Sequence, residues 1–259
     1  MCAVSFLNTV PLVWGMLHGP QRDHVNLEFR LPSACAARMS AGEADVGLVP
    51  SIEAARQGLE IIPGCGIACR GAVRSILLVT RVAPERIRTL ASDTSSRSSA
   101  MLARIILAKR YGAEPTVVEM APQLPLMLAA ADAALLIGDP ALRLRPEHLP
   151  AMTLDLGAEW WEMTGLPMVF AVWASRKDNA RLPGLAEILA GSSRYGLERV
   201  EEIVKREAGP RNVPEALARE YLKERIVLDL GDCEYEGMRL FLQYASEFDT
   251  VVSSGGATA

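Results

Sequence analysis

The sequence predicts an α/β protein of two lobes with a ligand cleft between them. Three observations predict it. Short apolar runs of strand length alternate with helix-like segments through the first two thirds of the chain, the pattern of sheets covered by helices. A second such unit begins near residue 84 and ends near residue 174, so it reads as an insertion within the first. The length of 259 residues, half of them apolar, is enough for two modest cores.

In chain order, residues 2–6 form an apolar strand and residues 11–17 a helix. The opening is apolar enough to resemble a signal peptide core, but Asn8, Thr9 and Pro11 interrupt it and no basic leader precedes it, so export is not expected. Residues 25–31 read as a strand, and Ser33 is placed to cap a helix over 34–41. A buried strand over 45–50 ends at proline, and Ser51 is placed to cap a helix over 52–57, with Glu53 in its first turn. Strands follow at 66–70 and 75–80.

The second unit starts with a strand at 88–92. A polar run from Ser92 to Ser99 then leads into an apolar helix over 100–111. A strand at 116–120, a helix at 124–131 and a buried strand at 133–137 come next, the last ending at Gly138-Asp139-Pro140. A strand at 153–155, a short helix at 159–163 and a strand at 167–174 close the unit. From residue 183 the pattern is helical, over about 185–208, 214–223 and 237–248. The expected division is therefore a discontinuous lobe of residues 1–83 and 175–259, with residues 84–174 as the inserted lobe. Two sheets joined by two crossings make the architecture of a type 2 periplasmic-binding-protein-like fold, in which small ligands sit between the lobes.

Composition narrows the function. Lys and Arg number 27 against 31 Asp and Glu, a net charge of −4, which argues against a nucleic-acid binder. No stretch reaches the roughly 18 apolar residues of a membrane span. Five cysteines, an odd number, do not form a disulfide framework. His18, His24 and His148 have no metal-ligand spacing with Cys65 and Cys69, so no metal site is expected. Neither a nucleophile elbow nor a phosphate-binding glycine loop occurs, so no nucleotide cofactor is expected.

The informative polar residues fall at the carboxyl ends of expected strands. They are Ser5, Asn8 and Thr9; Ser51; Ser95, Ser96, Ser98 and Ser99; and Gly138 with Asp139. Strand tips and helix N-termini attract anions through free N–H groups, and neutral hydroxyls and amides there suit a small carboxylate. A serine or aspartate before a helix is also an ordinary cap, and each position admits that role. Arg97 and Arg74 are further candidates for pairing with a carboxylate, while Trp173 on an apolar strand is expected in the core.

Several of these segments carry a family pattern. Ser5-Phe-Leu-Asn-Thr-Val-Pro-Leu12, Asp45-Val-Gly-Leu-Val-Pro-Ser51, Ser96-Arg-Ser-Ser99, Ile137-Gly-Asp139 and the run from Trp161 to Trp173 occur in order. They resemble the signatures of the menaquinone-biosynthesis family that contains chorismate dehydratase. Ser98 stands where that family usually has Thr, and Met168 where it usually has Phe. The resemblance implies a cytoplasmic, cofactor-independent lyase that eliminates water from chorismate, a small dicarboxylate, to give 3-[(1-carboxyvinyl)oxy]benzoate. It further implies Asn8 and Asp139 as catalytic candidates, with Ser5, Thr9, Ser51, Arg97, Ser98, Ser99 and Gly138 around the substrate. The base is either Asp139 or the substrate's own enolpyruvyl carboxylate. Two alternatives stay open: the sister enzyme that forms 1,4-dihydroxy-6-naphthoate, and a non-catalytic carboxylate-binding protein. The sister enzyme uses a histidine base, and no histidine here falls at an expected strand end.

Overall fold

The computed structural model describes residues 1–254 except 94, 96, 178, 180 and 181. Ser96, one of the serines considered above, lies outside the described residues. The elements run β1 (Cys2–Val4), α1 (Val10–His18), β2 (Glu28–Arg30), α2 (Pro32–Ser40), β3 (Val46–Pro50), α3 (Ser51–Arg56) and β4 (Glu60–Cys69). Next come β5 (Ile76–Thr80), β6 (Thr89–Asp93), α4 (Arg97–Tyr111), β7 (Thr116–Met120), α5 (Leu124–Ala130), β8 (Ala133–Ile137) and α6 (Gly138–Leu142). The chain continues with β9 (Met152–Asp155), α7 (Leu156–Thr164), β10 (Met168–Ser175), α8 (Leu182–Leu197), α9 (Val200–Glu207), α10 (Glu215–Glu220), β11 (Val227–Leu230) and α11 (Asp232–Ser254).

The strands form two mixed sheets, with orders β11-β4-β10-β3-β1-β2 and β7-β6-β8-β5-β9. In the first, β1 runs parallel to β2 and β3, and β10 lies antiparallel between β3 and β4. In the second, β6 runs parallel to β7 and β8, and β5 is antiparallel to β8 and β9. Two strands sit in the other sheet from the one expected. β5 belongs to the second sheet and β10 to the first, so the chain crosses between sheets over residues 70–75 and 156–167. Both strands are buried along their whole length, and apolar runs of this kind fit either sheet equally well.

Asp155 ties the two crossings together. Its Oδ1 accepts from the N–H groups of Gly157 and Ala158, capping α7, at 3.0 and 3.2 Å. The same carboxylate accepts from Val73 N at 3.0 Å and Arg74 N at 2.6 Å. Arg74 takes a left-handed conformation (φ 67°), and its guanidinium donates to the Ala141 carbonyl at 3.1 Å. Its side chain therefore pins the crossing and is not aimed at a ligand. The turn places Ser75 at the head of β5.

Most of the core is continuous across both sheets, with Trp14, Trp160, Trp173, Tyr221 and Phe241 among its largest fully buried side chains. Trp173 is core, as expected. The carboxyl-terminal helix α11 seals the core, with Phe241 edge-on to Trp160 at 6.2 Å between ring centres. The expected helix over 185–208 is two helices, α8 and α9, and β11 had no sequence signal strong enough to announce it. Among the described residues no helix is long and apolar enough to cross a membrane.

Candidate active site

The carboxyl ends of β1, β3 and β8 meet at one cavity of about 490 Å³, its open mouth included. Phe6, Asn8, Pro50 and Phe170 line it from the first sheet's side, and Ser75, Ser99 and Gly138 from the second's. Four helices begin at its wall or within two residues of it: α2 at Pro32, α3 after Pro50, α4 two residues before Ser99, and α6 at Gly138. Their first-turn N–H groups lack intrahelical partners, which gives the region a positive potential. None of the described residues lining the cavity is charged.

Asn8 sits in a short 3-10 turn, Leu7–Thr9, that carries β1 into α1. Its Nδ2 donates to the Tyr221 hydroxyl at 3.0 Å, and that hydroxyl donates to Ser75 Oγ at 2.9 Å. Burial pushes the Tyr221 phenol above the usual tyrosine range, so at neutral pH it stays protonated. Thr9 is buried behind Asn8, its Oγ1 3.5 Å from Asn8 Oδ1.

The serines divide by position. Ser99 lines the cavity. Ser51 and Ser98, expected to grip substrate, are buried and occupied with each other across the two lobes. Their Oγ atoms lie 3.2 Å apart, Ser51 Oγ donates to the Val169 carbonyl at 2.8 Å, and Ser98 Oγ accepts from Ile52 N at 3.4 Å. Ser51 therefore locks the N-terminus of α3 against α4 and β10. Ser95 donates both its N–H and its hydroxyl to Asp93 Oδ1, at 2.9 and 2.7 Å, shaping the loop before α4. Burial raises the Asp93 carboxyl above its ordinary range.

Beyond Thr9, Ser51 and Ser98, three further expected site residues lie outside the cavity lining. Arg97 is exposed and pairs with Glu53 at 2.9 Å, a tie between α4 and α3 and not a clamp on a ligand. Ser5 has its backbone engaged: its N–H donates to Arg30 O at 2.9 Å and its carbonyl accepts from Arg211 at 2.8 Å. Asp139, the candidate base, has both oxygens committed. Oδ1 accepts from Leu7 N at 2.9 Å and Oδ2 pairs with Arg211 Nη1 at 3.0 Å. It joins the tip of β8 to the tip of β1, and its neighbour Gly138 faces the cavity in its place.

Sequence reasoning missed Ser75, Tyr221, Phe6, Phe170 and Arg211. Ser75 lies at the start of a strand, the end where ligand contacts are not expected, and Tyr221 and Arg211 belong to the helical third of the chain that carries no motif. Phe6 and Phe170 were quoted inside family segments, but an aromatic residue there reads first as core.

Comparison with known proteins agrees with this architecture. A chorismate dehydratase from Thermus thermophilus is 31% identical over 225 residues, 78% of this chain and 82% of that protein. Among solved structures, protein AF1704 from Archaeoglobus fulgidus superposes with a TM-score of 0.77 at 15% identity, covering 96% of this chain and 97% of that one. The periplasmic aliphatic sulphonate binding protein SsuA from Escherichia coli gives 0.64 at 13% identity, over 96% and 86%. These likenesses show the two-lobed periplasmic-binding-protein fold. The menaquinone biosynthesis family matches residues 1–247, nearly the whole chain, and the protein belongs to that family.

Proposed function

We propose that the protein is a chorismate dehydratase, removing water from chorismate to give 3-[(1-carboxyvinyl)oxy]benzoate. The observation that carries this reading is a cavity whose described lining residues are all uncharged, ringed by helix N-termini and supplied with the neutral donors Asn8, Ser75 and Ser99. Such a site holds carboxylates through N–H and O–H groups. The family and the Thermus relative agree with it.

In the reaction the C3–H bond of the ring breaks, its electron pair becomes the C3–C4 double bond, the C4–O bond breaks, and the hydroxyl takes up the proton removed from C3 and leaves as water. Charge from C3 spreads through the adjacent double bond onto the ring carboxylate. Donors preorganised around that carboxylate, Ser99 and the N-terminus of α4 among them, stabilise the developing anion. Asn8, from the first sheet's side, and Ser75, from the second's, donate to the leaving hydroxyl. The ring becomes aromatic, and the elimination is redox-neutral, so its balance calls for no electron acceptor. On this reading the enzyme is a cofactor-independent hydro-lyase of the cytoplasm.

The base follows from what faces the cavity. No carboxylate or imidazole side chain lines it among the described residues, and Asp139 is held by Leu7 and Arg211. We therefore assign proton removal to the substrate's enolpyruvyl carboxylate. Asp139→Asn keeps an oxygen for the Leu7 N–H and is expected to retain turnover, without the loss of about 10²–10⁴ that removal of a general base brings. A loss of that size in a folded Asp139→Asn protein would make Asp139 the base after all.

Incubation with chorismate, followed by mass analysis, tests the function itself. A product lighter by one water, with an aromatic ultraviolet spectrum, is expected. Chorismate bound but recovered unchanged would leave a carboxylate-binding protein instead.

A further inference from the structure

The geometry points to Tyr221 as a positioning residue that orients Asn8 and Ser75 toward the substrate. The inference deepens the dehydratase proposal and rests on it. Tyr221 is 1% exposed, and its ring fills the core behind the cavity wall. Its hydroxyl makes two hydrogen bonds, to side chains 213 and 146 residues away, and both of those side chains line the cavity. One buried phenol thus fixes a donor on each side of the cleft.

The direction of these bonds determines what the cavity receives. Asn8 donates one N–H to the phenol oxygen, which leaves its second N–H for the cavity. The phenol donates to Ser75 Oγ, so the serine's own hydrogen is left for the cavity. Each bond polarises the next, which makes the Ser75 hydroxyl a better donor toward developing negative charge. Burial keeps the phenol protonated, which preserves this order. A phenolate would accept from both partners and draw the serine's hydrogen away from the substrate.

The local fold serves the same end. Tyr221 opens a single π turn, Tyr221–Arg225, in which Ile226 N donates to the Tyr221 carbonyl at 3.2 Å. A π turn carries an extra residue against the helical repeat and is frequent at functional sites. Here it ends α10 and turns the chain into β11, with the Tyr221 side chain left behind the cavity wall.

The test is a double-mutant cycle. Tyr221→Phe keeps the ring and is expected to lower kcat about tenfold with KM within about twofold, because the lost alignment counts most in the transition state. In an Asn8→Ala background the same change is expected to cost less than the full tenfold, since one of the two groups it orients is gone. Para-aminophenylalanine at position 221, which retains a polar hydrogen, is expected to restore part of kcat, which a purely structural role would not predict. Wild-type kcat in Tyr221→Phe, or a tenfold loss repeated in full on Asn8→Ala, overturns the proposal. A crystal structure of Tyr221→Phe gives a readout independent of the reaction: turned Asn8 and Ser75 side chains support the role, and unmoved ones overturn it. Failure of the wild-type protein to convert chorismate would instead overturn the dehydratase proposal, leaving the orientation result to be judged from that structure.

Discussion

Replacing Asn8 by alanine lowers chorismate turnover by about 10²–10³-fold, the loss typical of removing one preorganised donor from a site where charge develops. Among the described residues lining the cavity Asn8 is the one amide, and its carbonyl oxygen makes a long 3.5 Å contact with Thr9. Its position is set at both ends, by the 3-10 turn of residues Leu7–Thr9 and by the Tyr221 hydroxyl. Alanine removes the free N–H and leaves the phenol oxygen without its donor. The stability cost is about 1 kcal/mol, that of one hydrogen bond, so the variant stays folded. Steady-state kinetics beside thermal unfolding check this. The loss is expected in kcat more than in KM, because the donor serves the departing hydroxyl and the ground state gains less from it. Turnover within a few-fold of wild type would remove Asn8 from the mechanism.

What the sequence showed, and what it hid, follows from the range of the interactions. Alternating apolar runs are local, so the strands and most helices of both lobes were legible. The segment Ser5 to Leu12 was legible as well, because strand, turn, Asn8 and the helix-starting Pro11 lie within eight positions. Sheet membership of β5 and β10 was not, since pairing is decided by partners far along the chain and both strands are apolar throughout. The serines were found but their tasks were not. A hydroxyl at a helix start caps, ties or binds with the same residue type, and only distance separates Ser99 at the wall from Ser51 and Ser98 locked together. Asp139 looked available because its partner Arg211 is 72 residues further on, between two expected helices and outside every motif. Tyr221 was hidden for the same reason: the bond that gives it meaning spans 213 positions.

Gly138→Ala is expected to remove about 10²-fold of turnover by displacing a side chain, with no catalytic group altered, since misplacement by about 1 Å is enough for such a loss. Gly138 has φ of 59°, a conformation that costs an L-residue with a Cβ about 1–2 kcal/mol. A Cβ built there would lie 2.6–2.7 Å from three carbons of the Phe6 ring, closer than carbon atoms pack. The backbone at Gly138 has little freedom to retreat, because its N–H donates to the Ser75 carbonyl at 2.8 Å and Asp139 is held to Leu7 and Arg211. The ring must therefore move, and Phe6 is part of the cavity wall two residues before Asn8. Gly165→Ala supplies the control. Gly165 ends α7 with φ of 68°, and a Cβ there meets nothing within 4 Å. Both variants are expected to lose thermal stability from backbone strain, but only Gly138→Ala to lose turnover. Equal turnover in the two would mean that the contact between Gly138 and Phe6 does not shape the site. Loss confined to Gly138→Ala would tie activity to the shape of the cleft where the two lobes touch.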